Sequence, residues 1–197
     1  MYPLIAIIGT LVWLYVLHVL NKAKILAWRF FWGSAGLFIL MMVYIRPVLT
    51  EPLAQGVAAL AGFIGRATGT FVPYFKYGTI FVDTPAGAMT LQIDFECSGI
   101  LEIMAFLSLL LFFEVYTRQE KILVSILGTI YILIANALRI TLICEIIHFG
   151  GSGFYYMAHT YIGRIFFYVL SVLLYFYVFT KPQIVKMKVG IFNYEST

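Results

Sequence analysis

The feature that most constrains this chain is a series of long apolar segments that contain almost no charge. Five of them approach the ~20 residues that a helix needs to cross a bilayer core, at residues 2–20, 30–49, 99–115, 122–147 and 160–180. The chain is 62% hydrophobic and only 11% charged, which is too apolar for the surface of a water-soluble protein. The sequence therefore predicts an all-α polytopic membrane protein with about five transmembrane helices, in a single domain over residues 1–197.

Positive charge is concentrated in three of the connections between these segments. NKAKILAWR, YTRQEK and KPQIVKMK hold eight of the 13 Lys and Arg residues, and such an excess marks the cytoplasmic side of a plasma-membrane protein. The N-terminus is then expected outside and the C-terminus in the cytoplasm. The first segment lacks the charged start of a removable signal peptide and is expected to be retained. The net charge of +4 follows from this orientation, so we expect membrane lipids and no nucleic acid as partners.

Residues 52–75 are apolar and long enough to suggest a further span, but they are interrupted by glycines and one arginine. A span here would place NKAKILAWR and YTRQEK on opposite sides of the membrane. We therefore predict an interfacial or re-entrant helix on the outer face. The interrupting residues are Gly56, Gly62, Gly65, Arg66 and Gly69.

A short β-hairpin is predicted on the outer face, just before the third apolar segment. Apolar and polar residues alternate from Met89 to Glu96, and TPAG supplies turn residues ahead of them. A period of two is typical of a strand with one buried face. On this pattern Asp94 and Glu96 belong to the polar face of a strand, and Cys97 lies where that strand becomes a membrane helix.

Three side chains of catalytic type are expected at one depth in the membrane. Cys97, Arg139 and His159 lie 21, 18 and 22 residues from the charges at the cytoplasmic ends of their own segments. At 1.5 Å per helical residue these counts correspond to heights of roughly 31, 27 and 33 Å. All three therefore belong to one layer at the outer edge of the hydrocarbon core and are candidates for one catalytic site.

The residue types in this layer suit nucleophilic catalysis by a thiol. A helix N-terminus lowers the pKa of a cysteine and favours the reactive thiolate, although the neighbouring Glu96 acts in the opposite direction. Arg139 can supply a compensating cation or stabilise an oxyanion, and His159 can move the proton. Asn136, one turn before Arg139, is expected to hold the guanidinium in place.

Four further residues are candidates for supporting the reaction or binding the substrate. Gly99 either leaves room for a substrate backbone or allows close helix packing. Arg164 either lines the pocket or extends its charge toward water. Asp94 and Glu96 either bind substrate, hold Arg139 or are only solvated.

The segments ECSGI, NALRI and HTYIG, in this order and near the outer ends of three spans, resemble the exosortase/archaeosortase family of membrane cysteine transpeptidases. The similarity covers about residues 76–180. It implies that Cys97 is the nucleophile, Arg139 the essential arginine and His159 the third catalytic residue. Because five predicted spans are fewer than many relatives have, the chain resembles the short exosortase G-type proteins of Gram-positive bacteria.

The resemblance also implies a substrate and a place of action. Family substrates are exported proteins whose C-terminus carries a short motif, a transmembrane helix and a basic tail. The enzyme would cleave at the motif on the outer face of the plasma membrane and transfer the new C-terminus to an acceptor, for which lipid-linked and glycan-linked nucleophiles are candidates. No cofactor and no metal are implied.

A membrane zinc hydrolase is an alternative function. Cys144 and His148 are four residues apart on one helical face and could share a metal ion. A third ligand would be needed, for which His159 and Asp94 are candidates. That face points nearly opposite to Arg139, so one pocket is not expected to use both.

Two other interpretations concern the cysteines. A non-enzymatic transport subunit, whose buried polar groups serve packing alone, should tolerate the replacement of Cys97 by serine. A disulfide between Cys97 and Cys144 is compatible with an even cysteine count, and it would abolish the nucleophile.

Overall fold

The computed structural model describes residues 2–84 and 87–188. Within them the chain forms α1 (Tyr2–Lys22), α2 (Leu26–Tyr44), α3 (Arg46–Thr68), α4 (Ile100–Phe112) and α5 (Arg118–Gly150). The last helix, α6 (155–188), includes π-helical turns at Ala158–Ile162 and Phe176–Thr180. Strands β1 (Phe71–Tyr74), β2 (Thr79–Thr84) and β3 (Gly87–Gln92) lie between α3 and α4.

Four of the described helical segments are long and apolar enough to cross a membrane, at residues 26–44, 46–68, 118–150 and 152–185. Shorter apolar helices cover residues 6–22 and 100–112. The prediction of an all-α polytopic membrane protein with a small β element is therefore confirmed.

Helices α2 and α3 follow each other almost without a connection. The second apolar segment was expected to continue to residue 49, but α2 ends at Tyr44 and α3 begins at Arg46. Pro47 explains the break, since a proline has no N–H to donate and is tolerated in the first turn of a helix. Arg46 lies beside the Cys97 segment, with its guanidinium carbon 3.9 Å from the Phe95 ring centroid.

Helix α3 packs against the sheet through a stripe of small residues. Ala54, Val57, Ala58 and Ala61 recur at helical spacing, and they share one buried cluster with Ile80 of β2. The length and composition of α3 would allow it to cross a bilayer. Its placement as an interfacial or re-entrant helix therefore stays a prediction.

The sheet has the order β1-β2-β3 with antiparallel pairing throughout. The predicted hairpin corresponds to β2 and β3, and its turn residues Pro85 and Ala86 lie outside the described residues. Sequence reasoning missed β1, whose four residues include a proline. A second correction concerns the end of β3, which stops at Gln92 and does not continue to Glu96.

The basic connections meet at the end of the helices remote from the sheet. Arg29, in the first turn of α2, forms an ion pair with Glu114, after α4. The Tyr116 hydroxyl donates to the Val178 carbonyl of α6 at 2.7 Å. These contacts bring NKAKILAWR, YTRQEK and the segment before KPQIVKMK together.

Candidate active site

Cys97 lies in a tight turn between β3 and α4. One Asp94 carboxylate oxygen accepts hydrogen bonds from the backbone N–H of Cys97 at 3.0 Å and of Glu96 at 3.1 Å. The prediction that Asp94 and Glu96 continue a strand is therefore wrong. An aspartate side chain competes with a β-ladder for backbone donors, and here it folds the chain back toward the helices.

Asn136 and Gly99 hold the Cys97 backbone against α5. The Asn136 amide donates to the Cys97 carbonyl at 2.6 Å, so Asn136 positions the cysteine. The expected hydrogen bond from Asn136 to the Arg139 guanidinium is not found among the described contacts. Gly99 has φ of 79°, and a Cβ there would lie 3.3 Å from the Asn136 amide nitrogen. Glycine therefore suits both the backbone conformation and the close approach.

The three side chains that were expected in one layer meet at the Cys97 sulfur. His159 Nε2 lies 3.8 Å from Sγ, and Arg139 Nη2 lies 3.9 Å from it. Cys97 is only 4% exposed and Arg139 only 5%. One buried sulfur thus contacts a proton acceptor and a fixed cation, on two different helices.

His159 lies within the first π-helical turn of α6. Such turns are rare and displace side chains from α-helical register. The ring of Tyr155 stacks on the imidazole, with centroids 5.5 Å apart and planes 19° apart. At Gly163 an added Cβ would lie 2.7 Å from the Ile143 side chain, so glycine allows α6 to approach α5. Tyr155 precedes this candidate base by four residues, a spacing that places two side chains on one face of a helix.

Burial raises the pKa of the Cys97 thiol to about 11. The Arg139 charge lowers this pKa, while Asp94 and Glu96 raise it. The expectation that a helix N-terminus would depress the pKa is wrong for this resting state, since loss of hydration outweighs the nearby positive charge. At neutral pH Cys97 is therefore a thiol.

A small cavity of about 30 Å³ adjoins the sulfur. Cys97, His159 and Gln92 form its polar part, while Ile140 and Ile143 form much of its apolar wall beside the Tyr155 ring. A larger groove of about 960 Å³ lies between α2, α4 and α6, nearer the basic end, and none of its lining residues belongs to this site. The Cys97 sulfur therefore faces the small cavity and not the larger groove.

The residues of this site lie within a segment that matches a protein-family model. The family model described as transmembrane exosortase, Exosortase_EpsH, matches residues 2–176. The chain belongs to the transmembrane exosortase family. The predicted resemblance is confirmed at this level, and it extends well before residue 76. No curated protein and no solved structure matches the chain significantly.

The remaining candidate residues of this exosortase lie at the exposed rim of the site. Arg164 Nη2 is 4.0 Å from a Glu96 carboxylate oxygen, and the two side chains are 45% and 55% exposed. Arg164 therefore extends toward Glu96 on the outer turn. Such a water-exposed pair contributes little to stability.

The Cys144 face of α5 is separate from this site. Cys144 is fully buried, and both cysteines of the exosortase are free thiols. His148 Nδ1 lies 2.5 Å from the Asp83 carbonyl oxygen. Over residues 2–84 and 87–188, no group of three His, Cys, Asp or Glu side chains could hold a metal ion. The third ligand that the zinc alternative needs is therefore not supplied by these residues.

Proposed function

We propose that this exosortase is a membrane cysteine transpeptidase or protease that forms a thioester at Cys97. The observation that carries the proposal is one buried sulfur within 4 Å of both an imidazole nitrogen and a guanidinium nitrogen. An imidazole can accept the thiol proton, and a guanidinium favours the charge that then develops. The raised pKa of Cys97 makes this assistance necessary.

The first half of the reaction breaks a peptide bond. The thiol proton passes to His159 Nε2 as Sγ attacks the scissile carbonyl carbon, and the carbonyl oxygen becomes an oxyanion stabilised by Arg139. Collapse of this intermediate breaks the C–N bond. The leaving amine takes the proton from His159, and the acyl group stays on Sγ as a thioester.

The second half releases the acyl group to an acceptor. The acceptor loses its proton to His159 and attacks the thioester carbon, so that a second oxyanion forms beside Arg139. The carbon–sulfur bond then breaks, and the sulfur recovers a proton from His159. An amine or hydroxyl acceptor makes the enzyme a transpeptidase or transferase, whereas water makes it a protease.

The proposed substrates are exported proteins with a C-terminal motif, a transmembrane helix and a basic tail. We place the reaction at the outer face of the plasma membrane, with the N-terminus outside and the C-terminus in the cytoplasm. Support comes from the basic connections, which lie remote from Cys97, because such charges prefer the cytoplasmic side. We also propose that the chain belongs to the short G-type subgroup of Gram-positive bacteria and that its acceptor is lipid-linked or glycan-linked. The proposal includes no resident cofactor.

Trapping of the thioester tests this function. Wild type, Cys97→Ala and Cys144→Ala are purified from cells that express candidate substrates of this type, and their intact masses are measured. We expect a hydroxylamine-sensitive adduct on wild type and Cys144→Ala but not on Cys97→Ala. An adduct that survives in Cys97→Ala, or full cellular function of that variant, contradicts the proposal.

A further inference from the structure

A carboxylate that the proposed reaction does not use lies below the Cys97 site. Glu102 belongs to the first turns of α4, three residues after Gly99, in a helix whose other residues are apolar except Ser108. Its Oε2 atom is shielded from solvent and has no hydrogen-bond partner in the described part of the chain. An ionisable side chain in such a helix is costly unless another group compensates its charge.

The Arg139 guanidinium likewise has a buried group without a partner in the described residues, in this case a hydrogen-bond donor. Its Nε–H group is buried and lacks a hydrogen-bond partner among residues 2–84 and 87–188. Its contact with the Cys97 sulfur is long, and the sulfur is a neutral thiol at rest. Asp94 and Glu96 are exposed to water on the outer turn, where solvent already compensates them. The buried cation therefore lacks a close anion on its outer side.

The geometry of α4 and α5 directs the Glu102 and Arg139 side chains toward each other. Helices α4 and α5 are antiparallel, since Cys97 contacts Asn136 at one end and Leu111 contacts Lys121 at the other. Helical side chains tilt toward the N-terminus of their own helix. Glu102 is thus directed up toward the Cys97 layer, and Arg139 is directed down into the bundle. The Arg139 charge acts on the Glu102 carboxyl across a gap, since no ion pair or hydrogen bond joins the two side chains in the described structure.

We propose that Glu102 is the resting counter-ion of Arg139 and a positioning residue for the Cys97 site. Glu102 balances the guanidinium charge while Cys97 is a thiol, and the guanidinium, already beside the sulfur, balances the negative charge that forms on the sulfur or the oxyanion. Glu102 acts only through Arg139 and touches neither substrate nor sulfur. The inference rests on the proposed function only in taking Cys97 as the nucleophile.

A double-mutant cycle on the full-length protein in detergent tests the pair. Glu102→Gln and Arg139→Gln should each lower Tm by about 6 °C or more, because each leaves one buried charge without its partner. The double variant should lose much less than the sum of both. Glu114→Gln is the matched control, since it removes an acid whose partner, Arg29, is near solvent, and it should lower Tm by about 4 °C at most. Additive losses overturn the proposal.

Modification of Cys97 by iodoacetamide between about pH 7 and pH 11.5 tests the positioning role. In Glu102→Gln the thiolate is the remaining buried anion for Arg139, so the midpoint of the rate profile should fall by about one pH unit. Modification near neutral pH should become about tenfold faster. Peptide mapping assigns the adduct to Cys97.

A loosened fold would also hydrate the sulfur and lower the midpoint, so the dependence on Arg139 separates the two effects. The faster modification caused by Glu102→Gln should disappear in the Arg139→Gln background, whereas a loosened fold would speed modification in both backgrounds. An unchanged or higher midpoint overturns the proposal. Neither measurement requires turnover, so both stay informative if the transpeptidase function fails. The charged and titratable groups around the sulfur, which the variant retains, are Asp94, Glu96, Arg139, Tyr155, His159 and Arg164. Those around Glu102 are Arg139 and Tyr175.

Discussion

Helix α5 has two polar faces, and they differ in whether their polar groups already have partners. On the Cys144 face, the Thr141 hydroxyl donates to the Ala137 carbonyl at 2.9 Å, and His148 contacts the Asp83 carbonyl. On the opposite face, Arg139 Nε and Asn136 Oδ1 are buried without hydrogen-bond partners in the described residues. The second face is the one that meets the Cys97 sulfur.

This difference distinguishes a structural polar face from one prepared for chemistry. Buried polar groups are normally paired, and those that are not require an explanation. Donors that are fixed in place before negative charge develops stabilise a transition state without reorganisation. The pairing on the Cys144 face fits a role in joining α5 to the sheet, whereas the Arg139 face retains a donor that is unpaired among the described residues, Arg139 Nε–H, which the proposed reaction can use.

The largest expected effect comes from exchanging the sulfur on each face. Cys97→Ser should lower the rate of acyl-enzyme formation by at least about 10⁴-fold, since a hydroxyl, which would form an ester, does not replace the thiol nucleophile. Cys144→Ser should leave that rate near wild type and lower the free energy of unfolding by about 1–2 kcal/mol. Rates are measured by mass spectrometry with a substrate that wild type converts. Equal losses in both variants would end the distinction between the faces.

The second-largest expected loss of rate comes from replacing Arg139. Arg139→Lys keeps the charge but not the planar fork of donors, and we expect the rate of thioester formation to fall about 10²–10³-fold. His148→Gln is the control on the other face and should stay within about threefold of wild type, because the polar contact of His148 is with the Asp83 carbonyl of the sheet and not with the sulfur. Substrate saturation curves separate a loss in kcat from a loss in KM. A wild-type kcat in Arg139→Lys would remove Arg139 from the reaction.

Counting residues along the chain was enough to place Cys97, Arg139 and His159 in one layer, because the rise of a helix per residue is constant. The membrane class and the β2–β3 hairpin were likewise predictable from hydropathy and from a period of two. These features depend on local pattern alone.

Other features depend on elements that are distant in the sequence. The pKa of Cys97 is set mainly by burial, which requires α5, α6 and the sheet to be in place. The partner of Asn136 is a carbonyl 39 residues away. The backbone after Asp94 can donate either to a β-ladder or to the Asp94 carboxylate, and alternation of residue types does not predict which arrangement is more stable.

A third prediction uses the pKa of Cys97 and its sign. Because the folded-state pKa is raised from an ordinary 9.0 to about 11, the stability that this thiol contributes is fully present below about pH 9 and is lost as pH rises toward 11. Between these values wild type should lose about 2–3 kcal/mol more unfolding free energy than Cys97→Ala.

Unfolding of both proteins in the same detergent, followed across this pH range, measures the difference. Background titration of tyrosine and lysine is shared by both proteins and cancels. Parallel stability curves would show that folding does not raise the pKa of Cys97. The interpretation of Cys97 as a neutral thiol at rest would then be wrong.

The smallest expected effect comes from substituting Gly99, which allows the backbone conformation that positions the Cys97 sulfur. Gly99 and Gly69 both have left-handed conformations, with φ of 79° and 73°, but only Gly99 faces the Asn136 amide, whereas an added Cβ at Gly69 meets nothing within 4 Å. Each alanine variant should lose about 1–2 kcal/mol of unfolding free energy from backbone strain. Gly99→Ala should also slow thioester formation about tenfold, since it displaces the amide that holds the Cys97 carbonyl. A rate loss in Gly69→Ala of the same size would mean that strain alone slows the reaction, and the contact between Asn136 and Cys97 would then have no separate role.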